Sequence, residues 1–101
     1  MSRFKTRITS PANRDALAAY SWLYKESPDA ANVWYQELFE AISTLRDNPA
    51  RCALAPEDIL LDREIRQLLY GRYRILYTIS EDTVVILRVR HSSQQNVGKI
   101  D

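Results

Sequence analysis

The segment from Arg66 to His91 constrains the fold most, because it combines strand-type apolar runs with repeated arginines. It reads Arg-Gln-Leu-Leu-Tyr-Gly-Arg-Tyr-Arg-Ile-Leu-Tyr-Thr-Ile-Ser-Glu-Asp-Thr-Val-Val-Ile-Leu-Arg-Val-Arg-His. β-Branched and aromatic residues at this density favour strands. Strands that pack only within their own protein rarely carry so many guanidinium groups. The segment therefore predicts a sheet with one face on the core and another that meets a partner.

Length and composition limit the possible architectures. The 101 residues suffice for one domain, residues 1–101, of ordinary globular composition. Two glycines cannot build a glycine-rich phosphate loop, and the single Cys52 excludes a disulfide framework and a thiolate metal cluster. We therefore expect neither a metal nor a cofactor. No signal peptide or membrane span is evident, which predicts a cytoplasmic location and no membrane partner.

The charges are segregated along the chain although the net charge is only +1. Residues 26–62 hold eight acidic side chains, whereas residues 63–90 hold six arginines. Eleven of the fourteen cations are arginine, which favours planar contacts with carboxylate or phosphate groups. The alternative is a set of ordinary surface ion pairs.

Alternation from Arg3 to Thr9 predicts a short strand with a basic outer face. A helix is expected to follow, with Ser10 as its N-cap, Pro11 at its first position and its end near Lys25. Its predicted apolar stripe comprises Leu17, Tyr20, Leu23 and Tyr24.

Ser27-Pro28-Asp29 predicts the start of a second helix. The helix is expected to end near Asp47-Asn48-Pro49 and to form a hairpin with the first helix, because almost no loop separates them. Its predicted core stripe comprises Trp34, Leu38, Ala41 and Leu45.

Three further strands are predicted at about Glu64 to Leu69, Tyr73 to Ser80 and Thr83 to Arg90, with turns at Gly71 and at Glu81-Asp82. The predicted fold is α+β with the order β-α-α-β-β-β. A helix hairpin covers one face of a mainly antiparallel four-stranded sheet. The polar segment 92–101 is expected to be a flexible tail.

Strict alternation along these strands divides their side chains between two faces. The face covered by the helices is expected to hold Tyr73, Ile75, Tyr77 and Ile79 with Val85, Leu87, Val89, Ile65, Gln67 and Leu69. Val84 is assigned to the second face with the predicted partner-binding residues, which are Arg66, Leu68, Arg72, Arg74, Leu76, Ile86, Arg88 and Arg90. Apolar groups ringed by charge favour a binding surface. Alternatively, the tail folds over this face.

The order of elements and three segments resemble the RelE/ParE superfamily of bacterial type II toxins. The segments are Glu64-Ile65-Arg66-Gln67-Leu68, Tyr73-Arg74-Ile75-Leu76-Tyr77 and Val84-Val85-Ile86-Leu87-Arg88-Val89-Arg90-His91. The helix hairpin with Trp34 and the loop through Pro49 to Cys52 are more similar to the ParE branch.

The resemblance implies a growth inhibitor that a cognate antitoxin protein neutralises, in a possible toxin–antitoxin hetero-oligomer. A ParE-like member would inhibit DNA gyrase without catalysis. A RelE-like member would be a metal-independent endonuclease acting on messenger RNA at the ribosome. A third alternative is a non-toxic binding module of the same fold.

An endoribonuclease would need an acid–base group and cations for the phosphorane. The resemblance places Arg74, Arg90 and His91 in those catalytic roles. His91 is also the one side chain type here that ordinarily titrates near neutral pH. The chain departs from the endonuclease pattern after the last strand, because His91-Ser92-Ser93-Gln94-Gln95 contains no tyrosine.

Overall fold

The computed structural model describes residues 3–56 and 64–93. Its strands are β1 (Lys5–Ile8), β2 (Arg66–Tyr70), β3 (Tyr73–Ser80) and β4 (Thr83–His91). Its helices are α1 (Ser10–Glu26) and α2 (Pro28–Ser43), followed by 3₁₀ turns at Thr44–Arg46 and Pro49–Arg51. The predicted order β-α-α-β-β-β is confirmed. Within the described residues, no helix combines the length and hydrophobicity that a membrane crossing requires.

The four strands form one mixed sheet in the order β1-β4-β3-β2. β1 runs parallel to β4, whereas the β2–β3 and β3–β4 pairs are antiparallel. Thr9 extends the first pairing, because its backbone N–H and its hydroxyl both donate to the carbonyl of Ile86. The two helices pack on one face of this sheet, which confirms the predicted α+β class.

The residue that caps α1 differs from the predicted one. Thr9, not Ser10, is the N-cap, and its hydroxyl oxygen accepts a hydrogen bond from the N–H of Ala12 at 3.3 Å. Ser10 and Pro11 already lie in the first turn. Threonine can replace serine in this role because either hydroxyl satisfies an orphan N–H. Ser27 caps α2 as predicted, accepting from the N–H of Ala30 at 3.2 Å.

The buried stripe of α1 is also different from the prediction. Ala12 and Ala16 are its buried residues, while Leu17 and Tyr24 are 45% and 48% exposed. Small side chains let the helix approach the sheet closely, so alanines fill the position where larger residues were expected. In α2 the prediction holds in part: Leu38 is fully buried, whereas Trp34 and Ala41 are only partly buried. The helix ends at Ser43, earlier than predicted, so the buried Leu45 belongs to the following 3₁₀ turn.

The faces of β2 were assigned wrongly by the alternation. Tyr70 pairs directly with Tyr73 across a two-residue turn, so both side chains lie on the same face. Gly71 makes this turn possible with a φ of +56°. The pairing brings Arg66, Leu68 and Tyr70 to the helix-covered face and Ile65, Gln67 and Leu69 to the second face.

A β-bulge shifts the alternation in β4. Tyr77 pairs with Ile86, whereas Leu76, the residue before Tyr77 in β3, pairs with Arg88. Leu87 is therefore the extra residue in β4. The turn after Ser80 pairs Val84 with Ile79 and Ile86 with Tyr77, so both lie in the core beneath the helices, contrary to the prediction. The bulge then returns Val89 to that face, where it was predicted. Val85 and Leu87 pack on the second face, which is also a correction.

The apolar centre of the second face is buried rather than exposed. Ile65, Leu76, Val85 and Leu87 form a second cluster with Ala55, and none of them is more than 7% exposed. Ala55 is brought there because its N–H donates to the carbonyl of Ile65. The expectation of an uncovered apolar patch at Leu76 is wrong. The alternative involving the tail concerns residues 94–101, which lie outside the described residues.

Tyr77 should make stability depend on alkaline pH. It is fully buried, and its hydroxyl donates to the carbonyl of Pro49. Burial, and then its hydrogen bond with Cys52, raises its pKa. The folded state thus keeps the phenol proton to higher pH than the unfolded chain, and this contribution is complete below about pH 10. Above that value the unfolding free energy should fall by about 1.4 kcal/mol per pH unit until the folded-state pKa is passed.

Urea unfolding between about pH 9 and pH 11 measures this slope. Below about pH 10, Tyr77→Phe should be less stable than the parent, because the Pro49 carbonyl loses its donor. Above that pH its stability should fall with a smaller slope. An unchanged slope in Tyr77→Phe would contradict the assignment.

Candidate functional site

Arg74 and Arg90 face each other on the second face of the sheet as a direct cross-strand pair. Arg74 is 8% exposed and donates through a guanidinium nitrogen to the side-chain oxygen of Gln67 at 3.2 Å. The Nε of Arg90 is buried and has no hydrogen-bond partner among residues 3–56 and 64–93. Two neighbouring cations with a spare donor favour binding of an anionic group.

The other arginines of the predicted site lie elsewhere. Arg88 donates to both carboxylate oxygens of Asp15 on α1, at 2.7 and 3.0 Å. Arg66 donates to the carbonyl of Cys52 at 2.6 Å and lies 3.5 Å from the carboxylate of Glu64. These two guanidinium groups therefore hold the fold together, whereas Arg72 is exposed in the β2–β3 turn.

The apolar members of the predicted partner surface do not lie together on one face. Leu76 and Ile86 are fully buried in different clusters, and Leu68 is partly buried beneath the helices. The grouping of the eight predicted residues on one exposed face is wrong, because two-residue turns and the bulge reassign the side chains. Partner contacts at individual residues of the set remain predictions.

His91 is separated from the arginines with which it was grouped. It pairs with Tyr73, and the two rings meet edge-on with their centroids 5.2 Å apart. Nδ1 of His91 lies 2.7 Å from the hydroxyl of Ser93. Because consecutive strand residues point to opposite faces, Arg90 and His91 lie on opposite sides of the sheet. The predicted catalytic set of Arg74, Arg90 and His91 is therefore not assembled in one place.

His91 instead lines an open cleft of about 760 Å³ between the helix hairpin and the β2–β3 turn. We call this the aromatic cleft. Its lining consists of Trp22, Leu23, Trp34, Glu37, Tyr70, Gly71, Arg72, Tyr73, His91 and Ser93. Most of this lining is apolar, with a few polar groups among it, as is usual for binding pockets.

Ring contacts hold the walls of the aromatic cleft. The Trp34 ring lies 5.0 Å from that of Tyr73 and 6.2 Å from that of Tyr70, centroid to centroid. The Tyr70 hydroxyl donates to the carbonyl of Trp34 at 3.0 Å. Burial, followed by the charges of Glu37 and Glu40, raises the pKa of Tyr70, and burial raises that of Tyr73. Both phenols therefore remain neutral donors near neutral pH.

Sequence reasoning missed the aromatic cleft because it assigned Trp34 to the core stripe of the second helix and gave Trp22 no role. Trp22 lies outside the apolar stripe of α1 and is 61% exposed. The available signal was a large aromatic residue that lies off the buried stripe of its helix. This signal does not identify the other residues that line the cleft. In the part of the chain that the structure describes, no group of three His, Cys, Asp or Glu side chains could hold a metal ion.

Comparison with known proteins decides the family. A family model described as the ParE toxin of the type II toxin–antitoxin system parDE matches residues 6–96. The chain belongs to the ParE toxin family. It is thus a toxin of the ParE/RelE kind from type II toxin–antitoxin systems, as the sequence resemblance predicted. No curated protein gives a significant match to this ParE-family chain.

Two solved structures resemble this ParE-family toxin. A chain of the chromosomal ParDE system from P. aeruginosa has a TM-score of 0.70 and 18% identity, covering 88% of this chain and 96% of that one. This likeness concerns the fold alone. A chain of the RelBE2 toxin–antitoxin complex from Mycobacterium tuberculosis has a TM-score of 0.56 and 30% identity, covering 88% and 98%.

Proposed function

We propose that this ParE-family toxin inhibits growth by binding DNA gyrase, without catalysis of its own, and that a cognate antitoxin neutralises it in the cytoplasm. The observation that carries the proposal is the placement of His91 on the opposite side of the sheet from Arg74 and Arg90. An inhibitor that acts by binding needs no assembled acid–base set.

The separation matters because RNA cleavage requires its groups to reach the same phosphodiester. A general base or acid must come within about 2.6–3.2 Å of the proton that it transfers, directly or through one water. The His91 imidazole contacts Tyr73 and Ser93 on the helix-covered face. Arg74 contacts Gln67 on the second face of the sheet. One scissile phosphate cannot contact both groups in this arrangement.

An antitoxin partner is supported by the structural neighbours, which come from a ParDE system and a RelBE2 toxin–antitoxin complex. It is also supported by the aromatic cleft, where Trp22 exposes 61% of its surface. Trp22 lines this cleft together with Leu23 and Trp34, and contiguous exposed apolar groups favour a binding surface.

A second candidate function is cleavage of messenger RNA at the ribosome. Two observations favour it: the 30% identity with a RelBE2 chain, and the Arg74–Arg90 pair with its spare buried donor. That pair could hold a backbone phosphate. Such a reaction would need an acid–base group other than His91 as it is placed in this structure.

Gyrase and translation assays on the same purified protein test the choice. We expect cleaved DNA to accumulate only when gyrase is present, and messenger RNA to stay intact in a translation extract. His91→Ala should leave inhibition within about tenfold of the parent, whereas loss of a general acid or base typically lowers a rate about 10²–10⁴-fold. Messenger cleavage that His91→Ala or Arg74→Ala abolishes would contradict the proposal. Normal growth on production without antitoxin would favour a non-toxic binding module.

A further inference from the structure

We propose that the outer edge of β1 is a contact site for the phosphate backbone of duplex DNA. Its cations are Arg3, Lys5 and Arg7 along the first strand and Arg46 in the neighbouring 3₁₀ turn, and we call these four residues the basic edge. Such a contact goes beyond the proposed binding to gyrase, because it would hold the DNA on which that enzyme acts.

Strand alternation places three cations of the basic edge in a row. Arg3, Lys5 and Arg7 are exposed at every second position, whereas Phe4 and Ile8 between and after them pack against the core. Side chains two residues apart on one side of a strand are separated by about 6.6 Å. The strand therefore presents an extended line of positive charge rather than a single ion site.

Arg46 is held beside this row by the backbone. The N–H of Phe4 donates to the carbonyl of Arg46 at 3.0 Å, and the fully buried Leu45 anchors the same turn. Arg51 donates to the carbonyl of Asp47 at 2.7 Å and so braces the turn from its other side. The open pocket that results has a volume of about 420 Å³ and is lined by Arg3, Phe4, Lys5, Thr6 and Arg46.

The charge of the basic edge is available to a partner. Arg7 and Arg46 form no ion pair with another side chain in residues 3–56 and 64–93. Arg3 and Lys5 each pair with one carboxylate, but every side chain in these two pairs is at least 62% exposed. Exposed pairs of this kind contribute little free energy, so a polyanion can replace the carboxylates. The net charge of +1 hides this local excess.

The backbone of β1 adds a hydrogen-bond donor at the same place. The N–H groups of Lys5 and Thr9 donate to carbonyls at Asp82 and Ile86, on the side of β4. The N–H of Thr6 therefore points to the open edge of the sheet, where backbone groups lack a strand partner. Arginine, lysine and backbone N–H groups are the usual ligands of DNA phosphates.

The simplest alternative is that these cations only protect the edge. Charged side chains on an edge strand prevent another strand from pairing with it. That role explains Lys5 and Arg7, but it does not require a further arginine in a separate turn braced against the strand. A surface that joins several cations from two elements favours a polyanion with regularly spaced charges.

Fluorescence anisotropy of a short labelled DNA duplex of arbitrary sequence, titrated with the purified toxin, measures the contact. The dissociation constant should be about 10⁻⁴–10⁻⁶ M near physiological salt, as for contacts that do not read sequence. Four phosphate contacts should make the logarithm of the association constant fall against the logarithm of salt concentration with a slope of about −3.6. Arg7→Gln and Arg46→Gln should each weaken binding and reduce the size of this slope by about 0.9.

Arg72→Gln is the matched control. It removes the same charge from an exposed arginine, but Arg72 lies in the turn after β2, at the opposite edge of the sheet. It should leave the slope unchanged. Circular dichroism and urea unfolding should show that all three exposed substitutions preserve the fold.

The outcomes separate the DNA contact from the proposed function. No binding of the duplex by the parent, or a slope near zero, would overturn the DNA contact while leaving gyrase inhibition in place. An equal loss in Arg72→Gln would overturn its location on the basic edge. Equal competition by unlabelled poly-glutamate and unlabelled duplex would assign the edge to an acidic protein instead. A parent that binds DNA but does not affect gyrase would overturn the proposed target and leave the DNA contact standing.

Discussion

Asp15→Ala should lower the unfolding free energy by about 3 kcal/mol, as expected when one partner of a buried ion pair is removed. The Asp15 carboxylate accepts two hydrogen bonds from Arg88 and a third from the backbone N–H of Val89 at 3.0 Å. Its side chain is 18% exposed and that of Arg88 is 21% exposed. Alanine would remove the acceptor of these three hydrogen bonds. Urea unfolding at neutral pH measures the difference.

Asp47→Ala is the matched control for this prediction. Asp47 also pairs with an arginine through both carboxylate oxygens, but its side chain and that of Arg3 are 68% and 62% exposed. Water can solvate both partners after the substitution, so the loss should stay below about 1 kcal/mol. Similar losses at Asp15 and Asp47 would show that the α1–β4 contact is not specially protected from solvent.

Trp34→Ala should destabilise the protein by about 3 kcal/mol, at the low end for a large aromatic residue because Trp34 also borders the aromatic cleft. The indole packs against Tyr70 and Tyr73, so its removal takes away the ring contacts between α2 and the residues that flank the β2–β3 turn. Thermal and urea unfolding of the purified variant give the loss directly.

The neighbouring Val33 provides a control on the same helix. It is 54% exposed, so Val33→Ala should change the unfolding free energy by no more than about 0.5 kcal/mol. Trp34→Phe should recover part of the loss by keeping a ring against Tyr73. A loss at Trp34 as small as that at Val33 would mean that the hairpin does not depend on this contact.

The order of elements was predictable because each boundary carries a local signal. Ser27 before Pro28 marks the start of α2, and the alternation around Tyr73 to Ser80 marks β3. These signals lie within a few residues of the elements that they define. The parallel pairing of β1 with β4 joins residues about as far apart as the chain allows, and no local pattern encodes it.

The faces of the sheet were harder to predict because they depend on register. A two-residue turn places Tyr70 and Tyr73 on one side, and one extra residue at Leu87 changes the alternation of β4. The turns decide the faces of β2 and of the first half of β4, and the bulge returns Val89 and Arg90 to the faces predicted for them. The predicted site consequently mixed residues of the helix-covered face, such as Leu68 and Ile86, with residues of the second face such as Arg74.

The strand order has a consequence for biosynthesis. Among the strands in residues 3–56 and 64–93, β1 is made first, yet its hydrogen-bonding neighbour β4 is made last. The sheet therefore cannot close around its core until nearly the whole chain has left the ribosome, because a pairing of such large sequence separation must wait for both partners. We therefore expect any activity that requires the complete sheet to develop only after synthesis of the chain is nearly finished.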